Sequence, residues 1–485
     1  MKPTFLGPQA EHSDYLKRLI ARIIDAHRDS RASRFPEDKR IQAGLPPAHD
    51  PLYEELEKLL RLMHKETPFY HPRYLAHMLS EPSLSAILGY FTFLLTNPNN
   101  TTFEAGPVTT ELEIAVEKEF LALLEWKEGW GHLTSGGTIA NLEALWIARE
   151  SRAKGVVAFS EASHFGWKNV SSVVGSAFRV IPVDRHFRID LQKLEDLLKK
   201  EAVSFVVANI GSTGTGSVDN IQELLALRNK YPFHLHVDAA YGGFFRTLLR
   251  QENGQFAAKA PGLSDFVSDQ LRAMRHCDSV TIDPHKHGLV SYGAGAIFYR
   301  DHALKSKILH TSPYTYHVKT EANIGMYSLE GSRPGAAAAA CYLTYRMFPL
   351  HRSGLGSILE GCLKSTQTFV SSLEATKAFT VVTPPDLDIV CFSRTPVPNA
   401  RMNELNGENR RLLDSFSVQN PSARFFVSKF SVGPAISKLF LPALPNADGQ
   451  SMDLLRCVFM KDLSCPSGLK YLEEFVQTLK DAVKA

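Results

Sequence analysis

"VSFVVANIGSTGTGSVDNIQELLALRNKYPFHLHVDAAYGG" occupies residues 203–243, and its reading decides the fold. It opens on an apolar, β-branched run, VSFVVANI, and closes on another, FHLHVDAA. Between them NIQELLALRNK carries leucines at helical spacing behind Asn220, a residue type that caps helices. Working outward, GVVAF, FRVIPV, SVTID and GAIFY repeat the strand pattern between residues 155 and 300, and DLQKLEDLLKK supplies a second helix behind Asp190. Strands alternating with helices predict an α/β sandwich around a mostly parallel sheet. Such a sheet carries its ligands beyond the carboxyl ends of its strands, so the residues just past each run matter most.

The chain has 485 residues, too many for one small core, with 44% hydrophobic and 22% charged residues and a net charge of +3. That balance excludes a disordered chain, and it provides no basic field for nucleic acid or an anionic membrane. The amino-terminal stretch lacks the apolar core of a signal peptide, and the longest greasy run, LSAILGYFTFLL, is too short to span a bilayer. A cytoplasmic location is expected. We expect a helical N-terminal arm over residues 1–104, a large α/β domain over 105–350 and a small α+β domain over 351–485. The last begins after the alanine-rich helix RPGAAAAACYLTYRMF and contains the strands FTVVTP, IVCFSR and LLRCVFM. Six cysteines lie scattered without CxxC spacing, so reduced, buried thiols are expected rather than a zinc ribbon or a disulfide framework.

Chemistry-bearing residues gather at strand ends and helix starts. Thr134, Ser135, Gly136, Gly137 and Thr138 stand directly before an amphipathic helix, where small residues admit an anion to free N–H groups. The same five residues also read as a turn with a threonine cap. His164 follows GVVAF, as a ring partner for a ligand or as a polar loop residue. Asp238 ends a buried strand, a costly place for a carboxylate unless a cation meets it. Lys286, in SVTIDPHKHG, comes just after another such strand, where burial lowers an amine's pKa and prepares it to attack a carbonyl.

A phosphate site, a buried carboxylate and a desolvated lysine together describe pyridoxal 5'-phosphate. Lys286 would bind its aldehyde and Asp238 would pair with the protonated pyridine nitrogen. His164 would stack on one face of the ring, and the methyl group of Ala240 would press on the other.

The segments HVDAAYGG, DPHK, NPNNTTFEAGPVTTELE, WGHLTSGGTIANLEALWIAR and SLEGSRPGAAAA resemble the group II pyridoxal-phosphate amino-acid decarboxylases, and most resemble tyrosine decarboxylases. The resemblance spans residues 70–349. It implies an aspartate-aminotransferase-like (fold type I) domain and a homodimer that shares its active sites. By residue it implies Lys286 as the cofactor lysine, Asp238 at the ring nitrogen, and His164 stacked on the ring. His285 and the stretch from Thr134 to Thr138 would lie near the phosphate, with Ser212 and Thr213 beside the ring. A loop tyrosine, Tyr316 first and Tyr314 second, would return a proton to Cα, while His77 and Tyr74 would touch the substrate. His77 also reads as part of an aromatic core stripe. One departure is His287, where relatives usually carry methionine or tryptophan.

The activity expected is α-decarboxylation of an L-amino acid, aromatic and tyrosine-like, to its amine. Alternatives within the cofactor class are aspartate, glutamate or aliphatic substrates, and aldehyde-forming or carbon–carbon lyase reactions. Outside it stands a metal enzyme, since His234, His236 and Asp238 alternate along one strand face and His285 and His287 repeat the spacing. A non-catalytic relative kept for assembly is the third reading, and the retention of Lys286, Asp238, His164 and Tyr316 together argues against it.

Overall fold

The structure is a computed structural model that describes residues 4–37, 50–151, 154–310, 322–397, 400–440 and 451–484. Tyr314 and Tyr316 therefore lie outside the described residues. The larger sheet contains β1 (Trp130–Thr134), β2 (Val156–Ser160), β3 (Phe178–Ile181), β4 (Val203–Asn209), β5 (His234–Asp238), β6 (Ser279–Ile282) and β7 (Gly295–Tyr299). Their order is β1-β7-β6-β5-β4-β2-β3. β7 runs antiparallel to both neighbours, and the other pairings are parallel. The carboxyl ends of six strands and the amino end of β7 thus meet at one edge, as a ligand-binding parallel sheet requires.

Local chemistry explains the two anticipated helices. Asp190 accepts the N–H of Lys193 at 3.0 Å and starts the helix Leu191–Leu198, and Asn220 accepts that of Glu223 at 3.1 Å before Ile221–Lys230. The amino-terminal region forms α1 (Ser13–Arg34), α2 (Pro51–Met63) and α3 (Leu84–Leu94), followed by α4 (Pro107–Leu124) and α5 (Gly137–Ser151). No residue of α2 is buried, and Leu52, Leu56, Leu59 and Met63 are all exposed.

A second, antiparallel sheet has the order β10-β11-β9-β8, from β8 (Phe379–Val381), β9 (Ile389–Arg394), β10 (Ser428–Val432) and β11 (Met452–Val458). The helices Leu355–Ala375, Met402–Ser415 and Pro466–Lys484 cover it, with Phe369 stacked on Phe475 at 5.4 Å. Residues near position 75 stitch the amino-terminal region to this sheet. The N–H of Leu75 donates to the carbonyl of Phe426 (3.0 Å), and its own carbonyl accepts from Val458 (2.8 Å).

Two strands exceed the sequence expectation. WGHLT forms β1 although its glycine and short length hide the pattern, and SKFSV forms β10 with three of its five side chains at least partly exposed. The cysteine expectation also needs correction. All six thiols are free, but Cys465 is exposed while the other five are buried.

Candidate active site

The strand ends enclose a cavity of about 380 Å³. Ser135, Gly136, Gly137, Thr138, His164, Ser212, Thr213, Asp238, His285 and Lys286 all line it, so the structure brings together most of the residues singled out in the sequence. Two others sit just outside. Thr134 is buried and donates its hydroxyl to the carbonyl of Gly136 at 3.1 Å, closing the turn rather than facing the cavity. Ala240 lies beside the floor, where a Cβ built on Gly137 would approach its methyl to 3.3 Å.

The cradle needs its glycines. A Cβ on Gly137 would come within 2.8 Å of the Asp283 carboxylate, and one on Gly295 would strike the backbone of Gly136 at 2.5 Å. β7 therefore supports the start of α5 closely enough to leave its opening N–H groups at the cavity wall.

Asp238 is held by residues that the sequence reading missed. Asn141 Nδ2 (2.9 Å) and Trp167 Nε1 (3.0 Å) both donate to Oδ2, while Oδ1 takes the longer bond from the N–H of Ala240 (3.3 Å). Behind them runs a buried chain. His236 Nε2 donates to Asn141 Oδ1 at 3.1 Å, and its Nδ1 accepts from the Ser279 hydroxyl at 2.8 Å, which in turn accepts from His234 Nε2 at 2.7 Å. Burial pushes the His236 imidazole down to about 3, so it is neutral and serves this pattern of one donor and one acceptor. The two β5 histidines of the metal reading, His234 and His236, are thus occupied in hydrogen bonds. Among the described residues no group of three or more His, Cys, Asp or Glu side chains comes together to hold a metal.

Lys286 departs from expectation in its charge. Burial lowers its pKa, but Asp283 and then Asp238 outweigh that, and the net shift is upward. Its Nζ stands 3.1 Å from Oδ2 of Asp283, a carboxylate not singled out in the sequence, although DPHK contains it. Asp283 Oδ1 and His285 Nδ1 are buried polar atoms without a hydrogen-bond partner among the described residues. His285 stacks on Tyr292 at 4.3 Å, and both line the cavity. Burial lowers the pKa of His164 and of His285, keeping both rings neutral enough to face a cofactor.

A second cavity of about 410 Å³ adjoins the first through His164, Ser212 and Thr213. Its walls include Val183, Phe187, Phe430 and Ile436, with His77 and Arg456 among its polar residues. Arg456 donates to the carbonyls of Gly214 (2.8 Å), Ala76 (3.0 Å) and Thr213 (2.7 Å) and to the Ser428 hydroxyl (3.1 Å). Tyr74 lines neither cavity. Its ring is buried, edge-on to Phe69 at 5.0 Å, so it packs behind His77 instead of facing a substrate.

The floor suits pyridoxal 5'-phosphate: a Cβ-intolerant cradle, a carboxylate with one lightly bonded oxygen, and orphaned polar atoms around an amine. Comparison with known proteins agrees. The pyridoxal-dependent decarboxylase conserved domain matches residues 45–395. The chain is 28% identical to an L-tyrosine decarboxylase of Enterococcus faecium, over 87% of this chain and 86% of that one. It is 30% identical to a probable L-tyrosine/L-aspartate decarboxylase of Methanosphaerula palustris, over 69% of this chain and 85% of the relative. Its fold superimposes on the crystal structure of Oryza sativa TDC with PLP and tryptamine at a TM-score of 0.75, with 18% identity and coverage of 97% and 98% of the two chains.

Proposed function

Because the chain belongs to the pyridoxal-dependent decarboxylase family, and is a pyridoxal-phosphate-dependent amino-acid decarboxylase, we propose that its substrate is an aromatic L-amino acid, tyrosine-like, released as the amine and carbon dioxide. The carrying observation is Asp238, fixed through Oδ2 by Asn141 and Trp167 on the same cavity as Lys286. When bound, the cofactor ring draws off the electron pair left at Cα as carbon dioxide departs. Asp238 would pair with the protonated ring nitrogen, and the chain behind Asn141 keeps that carboxylate aimed. Lys286 would hold the cofactor through its aldehyde, with Asp283 beside Nζ placed to take the proton the amine must lose.

The cradle from Thr134 to Thr138, with His285, would hold the phosphate; Thr134 would act through the turn it closes. His164 would cover one ring face, Ala240 would back the other, and Ser212 and Thr213 would flank the edge. Tyr316, or Tyr314 next to it in rank, returns a proton to Cα. His77 contacts the substrate from the second cavity, whose apolar walls suit an aromatic ring. Arg456 braces three carbonyls and a hydroxyl, which disfavours a role in gripping the second carboxylate of aspartate or glutamate.

The assembly belongs to the same reading. The exposed leucines of α2 form an apolar face suited to a second copy of the chain, giving a homodimer with shared sites. No described helix is long and apolar enough to cross a membrane, and we place the enzyme in the cytoplasm. The domain division at residues 104 and 350 is kept, with the small domain built on the second sheet. Carbon dioxide release measured over a panel of amino acids tests the substrate. Tyrosine or another aromatic should lead the panel by kcat/KM, and preference for aspartate, glutamate or an aliphatic residue would overturn this assignment.

A further inference from the structure

His287, the departure from the family-like segment around the cofactor lysine, is buried at 1% exposure. Its imidazole meets Phe245 edge-on at 4.9 Å and tilts against Tyr241 at 4.6 Å. Nε2 lies 3.0 Å from Oδ2 of Asp388, a close contact without the alignment of a hydrogen bond. The other oxygen of the same carboxylate accepts the Tyr241 hydroxyl at 2.7 Å. Asp388 is fully buried and directly precedes β9, and its carbonyl accepts the N–H of Phe459, so the second sheet fixes its position.

One carboxylate from the second sheet therefore touches both turns that form the cofactor floor. Tyr241 stands three residues beyond Asp238, and His287 is the neighbour of Lys286. The turn bearing Lys286 is tight and costly in itself, since Leu289 adopts φ +60°, a conformation that side chains disfavour. External contacts must hold it. The buried Asp388 carboxylate has the Tyr241 hydroxyl and the His287 imidazole as its close side-chain neighbours among the described residues. Arg456 and Cys362 feel the charge of Asp388 from β11 and from the helix Leu355–Ala375 without making such contact.

We propose that Asp388 and His287 are positioning residues that hold the turn after β6 so that Lys286 Nζ reaches the cofactor's aldehyde. The inference rests on the reading that Lys286 carries the cofactor. Bond formation there joins Nζ to the aldehyde carbon as C=N, with loss of water and of the amine's surplus proton. Pyridoxamine 5'-phosphate offers the same ring and phosphate and cannot form that bond.

Binding of pyridoxal 5'-phosphate and of pyridoxamine 5'-phosphate to the full chain, measured for wild type, His287→Met, Asp388→Asn and the double variant, separates positioning from packing. Each single change should weaken the aldehyde form at least about tenfold and the amine form less than about twofold, and the double variant should lose no more than the larger single loss, since both residues act through one contact. Equal loss of both cofactors, or no loss of either, overturns the proposal. If Asp388→Asn does not fold, the same ratio for His287→Met decides alone. A wild type that forms no bond with the aldehyde brings down the Lys286 reading itself, whereas normal wild-type binding with unaltered variants removes the positioning role alone.

Discussion

Lys286 Nζ stands 3.1 Å from Oδ2 of Asp283, and this contact reverses the effect of burial on the lysine. Burial alone would lower the amine's pKa, yet with Asp283 and Asp238 nearby the net shift is upward. The free enzyme thus holds a protonated lysine, which must shed a proton before it can attack.

Asp283→Asn removes the larger of the two carboxylate effects, so the lysine pKa falls. The rate of cofactor capture, followed by stopped-flow absorbance against pH, should reach its half-maximum at a lower pH in the variant. A midpoint that stays put or moves upward would exclude Asp283 as the group that keeps the amine charged.

Asn141 and Trp167 aim Asp238 through a single oxygen. Asp238→Asn should lower kcat by roughly 10²-fold or more, since a neutral amide no longer favours a protonated ring nitrogen. Asn141→Ala should produce a smaller fall in the same parameter, because Trp167 still holds the carboxylate. Steady-state kinetics at saturating cofactor makes the comparison, and equal losses would show that Asn141 does more than aim Asp238.

His236 gives a signed pH prediction. Its folded-state pKa is depressed to about 3 by burial, so below its ordinary value of 6.5 the unfolded chain binds a proton that the folded one refuses. Its contribution is whole above pH 6.5 and is lost as the pH falls toward about 3, at no more than about 1.4 kcal/mol per pH unit. Asp219, raised to about 6 by burial, acts in the opposite sense between its ordinary 3.8 and that value. The thermal midpoint of wild type should therefore fall relative to that of His236→Gln on acidification, whatever their offset at neutral pH. A constant offset would contradict the neutral, buried imidazole.

The exposed face of α2 predicts the assembly. Leu56→Lys with Leu59→Lys should shift the mass in sedimentation equilibrium from dimer toward monomer. An unchanged dimer would place the interface elsewhere.

Much of this architecture was legible in the sequence because buried strands leave apolar, β-branched runs, continuous in β4 as FVVA and interleaved with buried polar residues in β5 and β6. The site was legible where chemistry demands an expensive residue, as with Asp238 and Lys286. Their supports were not, because Asn141 sits inside an ordinary helix and Trp167 reads as core, and only the fold brings both to Asp238. A polar Asn among the apolar residues of TIANLEALW was the available signal, since such a group must find a partner when buried. Tyr74 lines neither cavity because an aromatic beside a pocket segment packs inward as readily as outward, and here it packs against Phe69. The burial of Lys286 was foreseen but not its charge, because Asp283 was read as part of a motif instead of as a neighbour.

The most direct test is the absorption spectrum of the protein with added pyridoxal 5'-phosphate, before and after borohydride, followed by peptide mapping. The account predicts a band near about 420 nm that collapses on reduction and leaves a pyridoxyl group on Lys286. A protein that forms no such band, or one whose reduced adduct maps to another lysine, would contradict it.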